Sequence, residues 1–129
     1  MSKFYLILIL SIFLSCSKKD GDKEPPQITI TSPAAYQHFS IQDNIPVNAT
    51  VSDNVQLKSV SLRVLDSVIY LRQPMYATQN FDIPVNKKDY QFGMNFPVGI
   101  NFKNAWRFTL TATDMSGNQT VKEVSVAIN

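Results

Sequence analysis

Apolar and polar side chains alternate along most of the chain after residue 26, and the alternation is clearest near the C-terminus. Trp106, Phe108, Leu110 and Ala112 are interleaved with Arg107, Thr109, Thr111 and Thr113, the period-two pattern of a strand with one buried and one wet face. Asp114 to Asn118 reads as a turn, because Gly117 lacks a Cβ and the short side chains of Asp114, Ser116 and Asn118 bond back to local amides. Val124, Val126 and Ile128 then share one face of a further strand. Residues 104–129 therefore predict a C-terminal β-hairpin, the last two strands of a small sandwich.

The same pattern recurs upstream. Ile28 and Ile30 mark a first strand, which Ser32-Pro33 interrupts as proline does at sheet edges. In the connection that follows, Tyr36, Phe39 and Ile41 are expected to tuck under the edge. Val47, Ala49 and Val51 alternate with Asn48, Thr50 and Ser52; Asp53-Asn54 makes a turn; Val60, Leu62 and Val64 alternate with Ser59, Ser61 and Arg63. These two segments predict a half-buried hairpin.

Residues 67–103 are less regular. Val68 to Arg72 reads as a strand that Gln73-Pro74 breaks, Phe81, Ile83 and Val85 suggest another, and Tyr90, Phe92, Met94, Phe96 and Val98 alternate cleanly with Gln91, Gly93, Asn95 and Pro97. A parity condition limits the count. For the Asp53 and Asp114 turns to share one end of a sandwich, an even number of strands must cross between Asp66 and Trp106. One of the three apparent strands is then a bulged continuation or a loop. No apolar repeat at helical spacing follows residue 20, so the predicted class is an all-β antiparallel sandwich of about seven strands.

Composition narrows the function classes. The 129 residues are about one domain's worth. Twelve Lys and Arg stand against ten Asp and Glu, which gives no bulk electrostatic case for nucleic acid. A single cysteine excludes an internal disulfide and a zinc site built on several thiolates.

That cysteine follows a leader. Lys3 precedes an apolar run from Phe4 to Leu14, shorter than the about 20 residues of a membrane-spanning helix but suited to a signal-peptide core. Phe13-Leu14-Ser15-Cys16 resembles the lipobox of bacterial lipoproteins. The resemblance implies cleavage of a signal peptide, residues 1–15, and acylation of Cys16; two or three acyl chains anchor a protein stably where one is marginal. Residues 17–26, SKKDGDKEPP, balance Lys18, Lys19 and Lys23 with Asp20, Asp22 and Glu24 and contain no apolar residue other than proline. Such composition predicts a flexible tether, so residues 16–26 are read as acylated cysteine and stalk, and residues 27–129 as the domain. Charged residues just after an acylated cysteine resemble the export tags of Bacteroidetes surface lipoproteins. This implies a lipid-anchored outer-membrane location, on the cell surface.

The two ends of the domain carry a further resemblance. Pro26, Ile28, Ile30, Thr31, Ser32 and Pro33, together with Ala112, Thr113, Asp114, Gly117 and Asn118, look like the opening "P-x-I-x-I-T-S-P" and closing "A-T-D-x-x-G-N" of bacterial Ig-like and fibronectin-III-like modules. The family implies an Ig-like sandwich and leaves function open, since its modules serve as spacers, adhesins and ligand binders alike. Trp106 stands where the family often has a corner tyrosine, and its indole fills core.

Candidate chemistry is sparse. The two turns should meet at one end and gather Asp53, Asn54, Asp114 and Asn118. Such oxygen donors suit calcium, which takes about six to eight oxygens; they are also the residues β-turns use to cap their own backbone. His38 has no nucleophile motif beside it, no pair of acids is singled out for glycoside hydrolysis, and four glycines make no phosphate loop. Tyr70 and Tyr76, flanking Gln73-Pro74, are the candidates for stacking on a saccharide or anchoring a protein. The expected function is a non-enzymatic binding or structural module on the bacterial envelope, partnered by the membrane through its lipid and by an envelope protein or glycan. No cofactor is expected other than calcium. The alternatives are a saccharide-binding accessory lipoprotein of a glycan-uptake system and a calcium-dependent adhesin module.

Overall fold

The computed structural model describes residues 21–66, 76–82, 87–99 and 104–129. Two sheets face one another, with no helix among the described residues. One sheet holds β1 (Gln27–Ser32), β3 (Asn44–Ser52) and β6 (Asp89–Pro97) in the order β1-β3-β6. The other holds β2 (His38–Phe39), β8 (Gln119–Ile128), β7 (Asn104–Asp114), β4 (Leu57–Asp66) and β5 (Tyr76–Asp82) in the order β2-β8-β7-β4-β5. All pairings are antiparallel except the two-residue β2, which runs parallel to the end of β8. The fold is the expected all-β, Ig-like sandwich, with seven longer strands and the short β2 among the described residues.

The period-two patterns decide which faces meet. Ile45, Val47 and Val51 from the first sheet and Val60, Leu62, Phe108, Leu110 and Val126 from the second are almost wholly buried between the sheets. Phe108 is central: its ring lies 5.3 Å from Phe96 and 6.2 Å from Trp106, both at tilted angles favourable for aromatic pairs. The C-terminal hairpin forms as predicted, Trp106 opposite Val126 and Leu110 opposite Lys122. β6 also has the predicted phase, Phe92 and Val98 buried and Tyr90, Met94 and Phe96 half-buried against the core.

Three expectations need correction or placing. The segments flanking Asp53 are not a hairpin: β3 pairs with β1 and β6 while β4 pairs with β5 and β7, so residues 53–56 carry the chain from one sheet to the other. Alternation shows that a strand is half-buried but not which neighbour bonds its edge. Phe39 is buried as expected, whereas Tyr36 is 79% exposed and held at the surface by its amide bonding Ser125 O at 2.7 Å. The strand read at Val68 to Arg72 lies outside the described residues, as do Ile83 and Val85; β5 and β6 cross between β4 and β7 and satisfy the parity condition.

Strand directions define two ends. The connections 53–56 and 115–118 lie at one, called the base, together with the end of β5, the start of β6 and the point where the chain enters β1. The connection from Pro33 to Asp43 and the end of β8 lie at the other.

Replacing Phe108 with alanine opens a cavity under both sheets. It is expected to destabilise the domain by about 3–5 kcal/mol, read as a lowered urea midpoint with an unchanged slope.

Candidate metal centre at the base of the sandwich

The inward phase of two strands runs past the apolar core and ends on carboxylates, and a third carboxylate joins them from ahead of β1. In β3, Val47, Ala49 and Val51 point inward, and the next residue of that phase is Asp53, only 8% exposed. In β7, Phe108, Leu110 and Ala112 point inward, and the next is Asp114, 1% exposed. Ahead of β1, Ile28 and Pro26 are buried, Glu24 is exposed, and the chain turns back so that Asp22 is half-buried beside the two turns. Oxygen atoms of Asp22, Asp53 and Asp114 all lie within 4.8 Å of one another.

Each carboxylate is fixed locally. Asp53 Oδ1 accepts from the amides of Val55 at 2.9 Å and Gln56 at 2.6 Å, an Asx turn that launches the crossing to β4. Asp114 Oδ1 accepts from the Asn118 amide at 2.8 Å and Oδ2 from Asn118 Nδ2 at 2.7 Å. Gly117, with φ of +92°, closes this turn in a conformation that a side chain would strain. Asp22 Oδ1 accepts from the Glu24 amide and from Asn54 Nδ2, each at 3.0 Å. Further bonds stitch the base together: Asp53 N to Lys88 O, Leu57 N to Lys87 O and Met115 N to Gln56 O.

Charge is concentrated here, with no counterion paired to it among the described residues. Burial acts to raise the Asp114 pKa, but the hydrogen bonds from Asn118 Nδ2 and from the amides of Asn118, Ser116 and Gly117 outweigh it and hold the carboxyl below its usual range. Asp114 is therefore ionised at neutral pH. Asp53 Oδ2 and Asp22 Oδ2 are buried and accept no hydrogen bond among the described residues. None of the three forms an ion pair among those residues; Lys88 Nζ is bonded to Asn54 O at 2.6 Å instead. A groove of ≈ 250 Å³ lined by Glu24, Pro25, Gln27, Ser52, Asp53 and Asn54 opens beside the cluster.

The structure brings together Asp53, Asn54, Asp114 and Asn118, in unequal roles. The two asparagines use their amide nitrogens to orient carboxylates, and Asn118 Nδ2 also donates to Asp22 O at 2.9 Å. Asp22 was missed by the sequence reading, which placed it in a flexible stalk. The stalk up to Asp20 lies outside the described residues, but from Asp22 the chain is bonded to the domain, and Thr120 Oγ1 donates to Pro26 O. No periodic signal marked Asp22, because Glu24, two residues on and in phase with Pro26 and Ile28, is exposed. Of the other candidates, Cys16 and Tyr70 lie outside the described residues, and Tyr76 is placed only by its backbone, opposite Leu65 at the start of β5. His38 is exposed and hydrogen-bonded to Asn129.

The depressed Asp114 pKa sets a pH dependence. A carboxylate with a folded pKa below its unfolded value of about 3.9 contributes stability above that value and loses it as pH falls through the folded pKa. In chelator at pH 7, Asp114→Ala is expected to cost about 2–3 kcal/mol, from lost charge-assisted bonds. The gap to the unmodified protein should narrow below about pH 4, as followed by urea unfolding.

Comparison places the fold. The fibronectin(III)-like modules of Clostridium thermocellum CbhA superpose with a TM-score of 0.52 at 14% identity, covering 79% of this chain and 94% of that one. OgpA from Akkermansia muciniphila gives 0.49 at 15% identity over 82% of this chain and 28% of its own. A β-glucosidase from Listeria innocua gives 0.46 at 11%, over 79% and 16%. The chain thus corresponds to nearly a whole clostridial module but to a minor part of the other two, and at these identities the likeness to the clostridial modules is one of fold. It matches no curated protein. One family profile spans residues 14–129, and by that match the chain belongs to DUF4625, a domain of unknown function.

Proposed function

We propose that this protein is a non-enzymatic Ig-like module of the bacterial envelope, acylated at Cys16 in the outer membrane, displayed on the cell surface, and presenting its far-end loops to an envelope protein or glycan. One observation carries the reading: the chain enters the sandwich at the base, beside the Asp53 and Asp114 turns, and those turns face back along the incoming chain. The interval from Cys16 to Asp22 reaches about 20 Å at most when fully extended. A lipid on Cys16 would hold the base close to the bilayer and turn the connection between Pro33 and Asp43 outward.

The chemistry of the described residues fits a module rather than a catalyst. His38 has an asparagine for its partner, and Asp53 and Asp114 are buried at the end of the core, each with an oxygen committed to turn amides. Restricting a module to the membrane plane raises its local concentration for a partner, so modest contacts suffice.

Cells grown with radiolabelled palmitate should yield a labelled protein, and Cys16→Ser should abolish the label and move the protein to the soluble fraction. An unlabelled protein in the membrane fraction would remove the anchor from this reading. Protease treatment of intact cells is expected to degrade the domain; full protection would place it on the inner face.

A further inference from the structure

We infer that Asp22, Asp53 and Asp114 bind a calcium ion, and that this ion ties the segment entering the domain to the turns at its base. The cluster by itself would be an acidic corner. What points to a ligand is Asp53: the residue is more than nine-tenths buried, one oxygen is committed to the Val55 and Gln56 amides, the other is buried without a hydrogen-bond donor among the described residues, and the carboxylate brings an oxygen within 4.8 Å of those of Asp22 and Asp114. Asp22 repeats the arrangement, with Oδ1 committed to two donors and Oδ2 buried and unsatisfied. Buried anionic oxygens are strongly disfavoured unless paired with a cation.

The chemistry selects the ion. All donors are carboxylate oxygens, which are hard ligands, and their separations of up to 4.8 Å are spanned by one ion with metal–oxygen distances of about 2.4 Å. Calcium accepts irregular geometry and completes its shell with carbonyls and water, whereas magnesium demands a tighter octahedron and keeps most of its water. The groove beside Asp53 gives a route of entry.

Two of the ligands belong to the turns, but Asp22 precedes β1. Besides the cluster, the segment from Asp22 to Pro26 is held by Asn54, Asn118 and Thr120. With the ion, three mutually repelling charges become a bridge. Without it, repulsion works against those few bonds, and the segment swings away. The site depends on the folded base alone, so it stands or falls separately from acylation of Cys16.

The test uses the purified mature protein with calcium as the only added ligand. Its melting temperature should rise by roughly 10 °C at a calcium concentration about a hundredfold above the dissociation constant, with magnesium much less effective. Asp53→Asn keeps the acceptor for the Val55 and Gln56 amides and removes only the unsatisfied oxygen. In chelator it should melt at or above the unmodified protein, and calcium should not raise it. Asp22→Asn should weaken calcium binding at least tenfold by titration calorimetry, with melting in chelator unchanged. Cleavage after the exposed Lys23 by endoproteinase Lys-C should be slow in calcium and fast in chelator. Melting and calorimetry that ignore calcium, or an Asp53→Asn variant that gains as much from calcium as its parent, would overturn the site. Calcium binding with equal Lys23 cleavage in both conditions would overturn the tie.

Discussion

A sandwich core has to be closed at its ends as well as between its sheets, and here the closure is made of carboxylates. Hydrophobic burial fixes the inward phase of β3 and β7 through residues such as Val47, Val51, Phe108 and Leu110, each nearly inaccessible to water. Because side chains alternate strictly, the phase persists one step beyond the last apolar residue and carries Asp53 and Asp114 into the gap between the sheets. Shifting either strand by one residue would expose its whole apolar row, so the placement of the acids is enforced by the energy of the core behind them. What would be unfavourable in isolation is imposed by many small apolar contributions.

The turns at the base are built to tolerate that imposition. Asn118 spans the Asp114 loop with both its amide and its side chain, and Asp53 organises the start of the crossing to β4. Residues expected merely to cap turns do cap them, and the same geometry leaves oxygen atoms pointing into the protein. Turn chemistry and a cation site are thus not competing descriptions. Orienting bonds from amides are what hold carboxylates in the convergent arrangement a shared ion would require.

Much of this was legible in the chain. The alternation over Tyr90 to Val98 and Trp106 to Thr113 gave the strands and their buried faces, and the signatures at Ile28 to Pro33 and Ala112 to Asn118 gave the fold. Pairing was not legible, because hydrogen bonds are made by the backbone, which is the same in every strand. Residues 53–56 consequently read as a hairpin turn when they link two sheets. Asp22 was hidden for another reason. Its neighbours Lys23 and Glu24 are exposed and its composition is that of a solvated linker, and only the position of Pro26 against the core shows where the domain begins.

The direction in which β1 meets its neighbour has a mechanical corollary. Among the described residues β1 is paired on one side, with β3, from Gln27 opposite Ser52 to Ser32 opposite Asn48. A pull on the chain ahead of Gln27, resisted at the opposite end of the sandwich, acts along the strand axis. The rungs between β1 and β3 are then strained together in shear, not peeled one at a time, so the strand that the incoming chain enters first is oriented to bear load.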